Sequence, residues 1–142
     1  MYHIVFCTKQ RRRTINQALL EDLYRYIWAE TKEMGSILMR IGGIENHVHM
    51  LIDLNSKVCI ADFVACIKAK SSGWMRADSR FVNWEGWARE YFAATVANDE
   101  KDGVIEYIKS QREHHYGNSL DDEFRSLYGR AGLDYHEKDL TD

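Results

Sequence analysis

Residues 47–54 (HVHMLIDL) constrain the fold more than any other stretch of the chain. Val48, Met50, Ile52 and Leu54 alternate with His47, His49, Leu51 and Asp53, the period-two pattern of a β-strand. One face of that strand is apolar and has to be buried against a second layer, while the other begins with two imidazoles. Side chains at i and i+2 of a strand point the same way, about 6.6 Å apart. Two such rings can lean onto one ion at metal–nitrogen distances of about 2.1 Å. Two ligands seldom hold a metal, so the pattern asks for a third group from elsewhere in the chain. Alone, it is also compatible with two partly exposed strand histidines.

The strand needs partners, and the flanking sequence supplies them. Residues 2–9 (YHIVFCTK) are rich in β-branched and aromatic residues and read as a first strand ending in a basic turn. Thr14-Ile15-Asn16-Gln17 has the form of a capping box, followed by Ile15, Leu19, Leu23, Tyr26, Ile27 and Met34 at helical spacing until Gly35. Residues 37–45 (ILMRIGGIE) read as a second strand, in which Gly42-Gly43 permits a bulge or a close approach of backbone, and Asn46 turns the chain into the histidine strand. Residues 57–79 form a second helix with Ile60, Phe63, Val64, Ile67 and Trp74 as its inner stripe. An aromatic stretch with Phe81, Trp84, Trp87 and Tyr91 leads into a fourth strand over 92–96 (FAATV). Those rings can stack on unpaired bases, although an aromatic cluster beside a sheet is more often core. Asn98 or Asp99 caps a third helix that runs to about His115.

The resulting order β-α-β-β-α-β, followed by an extra α, predicts an α+β, ferredoxin-like antiparallel sheet with helices on one face and an additional C-terminal helix. At 142 residues the chain makes one domain over 1–120, with an acidic extension over 121–142 packed on it or trailing from it. No apolar run reaches the length of a membrane span and no signal peptide is evident, which places the protein in the cytoplasm. Cys7, Cys59 and Cys66 form no CxxC pair and read as reduced thiols packed as small hydrophobes.

The net charge of −3 argues against a protein that coats nucleic acid through bulk positive charge. From Asp121 onward, however, seven acids face three bases, so residues 1–120 carry +1. Within them Lys9, Arg11, Arg12, Arg13, Lys68, Lys70 and Arg76 form concentrated patches that can follow a phosphate backbone, or can be solvated charge at loop and helix ends.

In the third helix Tyr107 and Gln111 are four residues apart and share a face. Gln111 can offer an amide oxygen beside two imidazoles, and such a site with open positions suits Mg²⁺ or Mn²⁺ holding a phosphate oxygen. Tyr107 then stands as a nucleophile. YHIVFCTK with the basic residues after it, HVHMLIDL, the segment 84–96, and VIEYIKSQREHH with its acidic SLDDEF continuation together resemble the single-tyrosine HUH transposases of small bacterial insertion sequences and their repeat-associated relatives. The chain departs from that pattern at Glu90, where glycine is common.

The resemblance implies a metal-dependent transposase that breaks and rejoins single-stranded DNA through a 5′-phosphotyrosine on Tyr107. His47, His49 and Gln111 would hold the metal. It also implies hairpin-bearing element ends as partners, and a homodimer in which the tyrosine helix, hinged near residues 98–103, can complete the neighbour's site. Two other classes compete: a catalytically silent single-strand binding domain, and a zinc hydrolase or sensor built from His47, His49 and one of His3, His114, His115 or His136.

Overall fold

The alternation in the histidine strand sorts the whole molecule into two faces. The protein is described by a computed structural model covering residues 1–111 and 119–136. Four strands, β1 (Tyr2–Thr8), β2 (Ile37–Ile44), β3 (His47–Asp53) and β4 (Trp87–Thr95), form one antiparallel sheet in the order β2-β3-β1-β4. Helices α1 (Leu20–Glu33) and α2 (Ile60–Ala77) link them as the sequence order requires. This is the ferredoxin-like arrangement, with β3 and β1 at the centre.

Ile4, Phe6, Val48, Met50 and Ile52 point to the face covered by α1 and α2, where Leu23, Ile27, Phe63 and Ile67 meet them. Phe81 and Trp87 join this core, and the Trp87 indole N–H donates to Ser71 Oγ at 2.9 Å. The aromatic stretch is therefore core first. Val5, Cys7, Ala88 and Phe92 point to the opposite face, along with His3, His47 and His49. That face is covered by α3 (Lys101–Lys109) through Ile108 and by α4 (Leu120–Arg130) through Phe124, Leu127 and Tyr128. Helices thus lie on both sides of the sheet, and the acidic extension is in part a helix with an apolar stripe of its own.

Gly42 explains how α3 can lie on the edge of the sheet. A Cβ at this position would meet the Ile108 carbonyl oxygen at 2.5 Å, a backbone atom that cannot step aside. We expect Gly42→Ala to lower stability by about 1–3 kcal/mol, the usual cost of overpacking, read as a fall in Tm. At Gly103, inside α3, a Cβ meets nothing within 4 Å, so Gly103→Ala should raise stability by about 0.5–1 kcal/mol.

Several local expectations shift. Thr14 is buried and caps nothing; Asn16 is the cap, accepting from the Ala18 N–H at 3.0 Å, because a short 3₁₀ turn precedes α1. Helix α2 starts at Ile60 behind a Cys59 cap, so Cys59 is exposed rather than packed, whereas Cys7 is buried and burial pushes its thiol up to about 12. Strand β4 begins at Trp87, five residues earlier than expected, and runs through Glu90 without a turn. Residues 98–103, expected to act as a hinge, are helical: a 3₁₀ turn flows into α3, and neither Asn98 nor Asp99 caps that helix. Instead, the Ala97 N–H donates to Glu100 Oε1 at 3.0 Å.

Candidate active site

β3 delivers His47 and His49 onto the α3/α4 side of the sheet, both fully buried. Each ring is oriented through its Nδ1. The Asn46 amide N–H donates to the Arg11 carbonyl at 3.2 Å, which turns Asn46 Oδ1 toward His47 Nδ1, 2.9 Å away. An amide oxygen only accepts, so Nδ1 carries the proton and Nε2 is the nitrogen turned into the site. Gln111 is pinned in the same manner: its N–H donates to the Tyr107 carbonyl at 3.2 Å, leaving Oε1 3.1 Å from His47 Nε2.

His49 Nδ1 lies 2.9 Å from His3 Nε2, with the two rings stacked. Burial, and secondarily the neighbouring His49, lowers the pKa of His3 to about 3, so it stands there neutral. It can accept the Nδ1 proton that His49 must carry when its Nε2 serves as a ligand. His3 is thus a support for His49 rather than a third ligand.

A third candidate ligand atom lies on α4. Glu123 Oε1 is 3.1 Å from His49 Nε2, and Oε2 is 3.9 Å from His47 Nε2. The donor atoms of His47, His49 and Glu123 all lie within 4.8 Å of one another. Neighbouring ligands about 2.1 Å from a single ion sit about 3.0–3.4 Å apart, so the group would close by more than about an ångström around one divalent cation. Two neutral imidazoles and a carboxylate are a suitable donor set for one.

Tyr107 sits above this group. Its hydroxyl donates to Glu123 Oε1, and its ring meets those of His49 and His3 edge-on, with centroids 5.5 and 6.0 Å apart. Burial, then the negative charge of Glu123 and the hydrogen bond to it, raises the phenol well above its ordinary pKa. Among the described residues, then, one chain brings together His47, His49, Gln111 and Tyr107, all singled out from the sequence, with His3, offered there as an alternative ligand, behind His49, and adds Glu123. The signal for Glu123 lay in periodicity, since it occupies the apolar stripe formed by Leu120, Phe124, Leu127 and Tyr128, where an unsupported carboxylate would be costly. His136 is exposed, and His114 and His115 lie outside the described residues.

The basic candidates do not gather at the site. Arg11 is bound to the C-terminal helix: it donates to Tyr135 Oη at 2.5 Å, lies 3.6 Å from Asp121 and stacks over Phe124. Arg12 pairs with Glu85, Arg13 with Glu45 and Lys70 with Glu30, all at the surface. Lys68 donates to the Ala88 and Arg89 carbonyls. Lys9 and Arg76 are exposed and have no ion pair among the described residues. No described helix is long and apolar enough to cross a membrane.

Comparison with known proteins gives the family of the chain. The "Transposase IS200 like" family profile matches residues 1–111, from β1 through Gln111. The transposase for insertion sequence element IS200 of Salmonella typhimurium is 29% identical over 128 residues, covering 79% of this chain and 76% of the relative. The ISDra2 transposase TnpA of Deinococcus radiodurans is 27% identical over 120 residues, covering 79% and 84%. Among solved structures, a REP-associated tyrosine transposase bound to a REP hairpin shares the fold with a TM-score of 0.59 at 14% identity, over 99% of this chain and 87% of that one. A candidate transposase from Deinococcus radiodurans gives 0.60 at 22%, over 78% and 88%. With the family match spanning the sheet, both histidines, Tyr107 and Gln111, the chain belongs to the IS200-like transposases.

Proposed function

We propose that this transposase cleaves and rejoins single-stranded DNA by transesterification, with Tyr107 as the nucleophile. The observation that carries the reading is the contact of the Tyr107 hydroxyl with Glu123 beside two imidazoles that both present Nε2. His47, His49 and Glu123, with Gln111 alongside, would hold a divalent cation, Mg²⁺ or Mn²⁺. When bound, that cation supplies positive charge to the oxygens of the scissile phosphate. Tyr107 passes its proton toward Glu123 as its oxygen attacks phosphorus. The bond to the 3′ oxygen breaks, that oxygen takes a proton from solvent and leaves as a 3′-hydroxyl, and a 5′-phosphotyrosine remains. Because one phosphoester replaces another, a second 3′-hydroxyl can reverse the step and exchange strands without external energy.

The REP-associated neighbour holds a DNA hairpin, and we propose hairpin-bearing single strands as the partner of this chain too. The direct test incubates the protein with end-labelled strands taken from the DNA flanking its gene, with and without Mn²⁺. Metal-dependent cleavage of the single strand, with the fragment on the 3′ side of the break held on the protein through its 5′-phosphate, is expected; cleavage unaffected by chelation would overturn the reading.

The family resemblance implies a homodimer in which the site can be shared. Here Tyr107, Glu123 and the histidines meet within one chain, and we propose that each protomer works in cis. Mixing His49→Ala with Tyr107→Phe protein should then restore no cleavage, after tagged co-purification has verified that any subunits exchange. Recovered cleavage would show the tyrosine acting on a partner's histidines. As for His3, replacing it by Phe keeps a ring but removes the acceptor behind His49. Metal affinity should fall about 10–100-fold, the usual cost of losing such a support, as read by Mn²⁺ titration.

A further inference from the structure

A groove of about 620 Å³ runs along the outer edge of the sheet, between α1 and the end of α3. Its walls include Tyr24, Arg25 and Trp28 of α1, Arg40 of β2, and Lys109 and Gln111 at its inner end. Tyr24 and Trp28 are four residues apart and so share one helix face. Trp28 is 51% exposed, an unusual position for so large an apolar ring, and Lys32 Nζ lies 5.1 Å from its centroid, while Tyr24 beside it is half-buried against the core. Arg40 and Lys109 are exposed and form no ion pair among the described residues, while Arg25 has only a surface contact with Asp22 at 3.3 Å. Against these three cations, Glu21 is the single acid lining the groove. Gln111 belongs both to the groove and to the active site, where its Oε1 lies 3.1 Å from His47 Nε2.

We propose that this groove is the track for the single strand next to the scissile phosphate, with bases stacked on Tyr24 and Trp28 and phosphates held by Arg25, Arg40 and Lys109. The strand passes Gln111 to reach Tyr107. This track rests on the reading of the site given above. Charge favours a polyanion over a second copy of the chain, because antiparallel pairing along β2 would bring two equally positive edges together. The exposed Trp28 ring favours unpaired bases over a duplex, whose bases are already stacked.

The test measures binding of a fluorescent dT20 strand to the full chain without metal, by anisotropy over a range of salt. Trp28→Ala, a surface change whose fold is checked by circular dichroism, should weaken binding about 5- to 100-fold, the worth of one stacked base. The double variant Arg40→Gln/Lys109→Gln should reduce the magnitude of the logarithmic salt slope by about 1.4. Parental affinity and slope in these variants, or no binding of dT20 by the parent, overturns the proposal. So does a dimer that the variants split, by light scattering, with dT20 affinity per chain unchanged. The two readings fail separately: weakened binding in Trp28→Ala where the parent forms no covalent adduct on flanking DNA would sink the phosphotyrosine mechanism and keep the track, whereas an adduct with parental binding in Trp28→Ala would do the reverse.

Discussion

Tyr107→Phe should bind single-stranded DNA as tightly as the parent and form no covalent protein–DNA product, a complete loss rather than a slowing. The substitution removes one oxygen from a ring that still packs against His3 and His49. The nucleophile disappears while the fold stays. Losing the hydrogen bond to Glu123 should cost at most about 1–3 kcal/mol, because the carboxylate also faces His49 Nε2 at 3.1 Å. Denaturing gels read the adduct and anisotropy reads binding. An adduct at the parental rate would remove Tyr107 from the chemistry.

Glu123→Gln is the second large effect, and it separates a carboxylate with a function from one that merely packs. Gln preserves the size and can still accept from the Tyr107 hydroxyl, but it gives up the negative charge and the basic oxygen. Replacing even an outer support of a metal ligand costs about 10–100-fold in affinity. A direct ligand should cost more than that, with adduct formation falling in parallel. If Mn²⁺ titration and adduct yield in Glu123→Gln match the parent, the ligand set is His47, His49 and Gln111 without the carboxylate. Gln111→Ala should be the milder change, since it leaves both imidazoles and the carboxylate in place.

What could be read in advance followed from strict local periods. The alternation over residues 47–54 placed Val48, Met50 and Ile52 in the core and sent His47 and His49 to the other face, as observed. The Gly42-Gly43 pair signalled a close approach, and the Ile108 carbonyl makes it. Tyr107 and Gln111 four residues apart fell on one face, and Gln111 does donate to the Tyr107 carbonyl. Other features depended on long-range packing that no local pattern encodes. Arg11 looked like a phosphate contact within a basic run, yet its side chain is taken up by Tyr135, Asp121 and Phe124, more than a hundred residues away. Glu123 was hidden among acids at the start of a polar-looking segment, because the opening turn of α4 is acidic for a separate reason: carboxylates suit the N-terminus of a helix. Only its place in the apolar stripe set it apart. His3 was one of four histidines offered as a further ligand, and its contact with His49 instead follows from the pairing of β1 with β3.

The central claim is that Tyr107 takes the DNA phosphate onto its own oxygen at the His47–His49–Glu123 site. The most direct measurement reacts the protein with single strands from the flanking DNA in Mn²⁺, digests protein and DNA, and locates the residual nucleotide by peptide mass spectrometry. The account predicts a nucleotide 5′-phosphate on the peptide carrying Tyr107, absent when the metal is chelated. Nucleotide mass on any other residue, or strand cleavage that leaves no nucleotide on the protein, would contradict it.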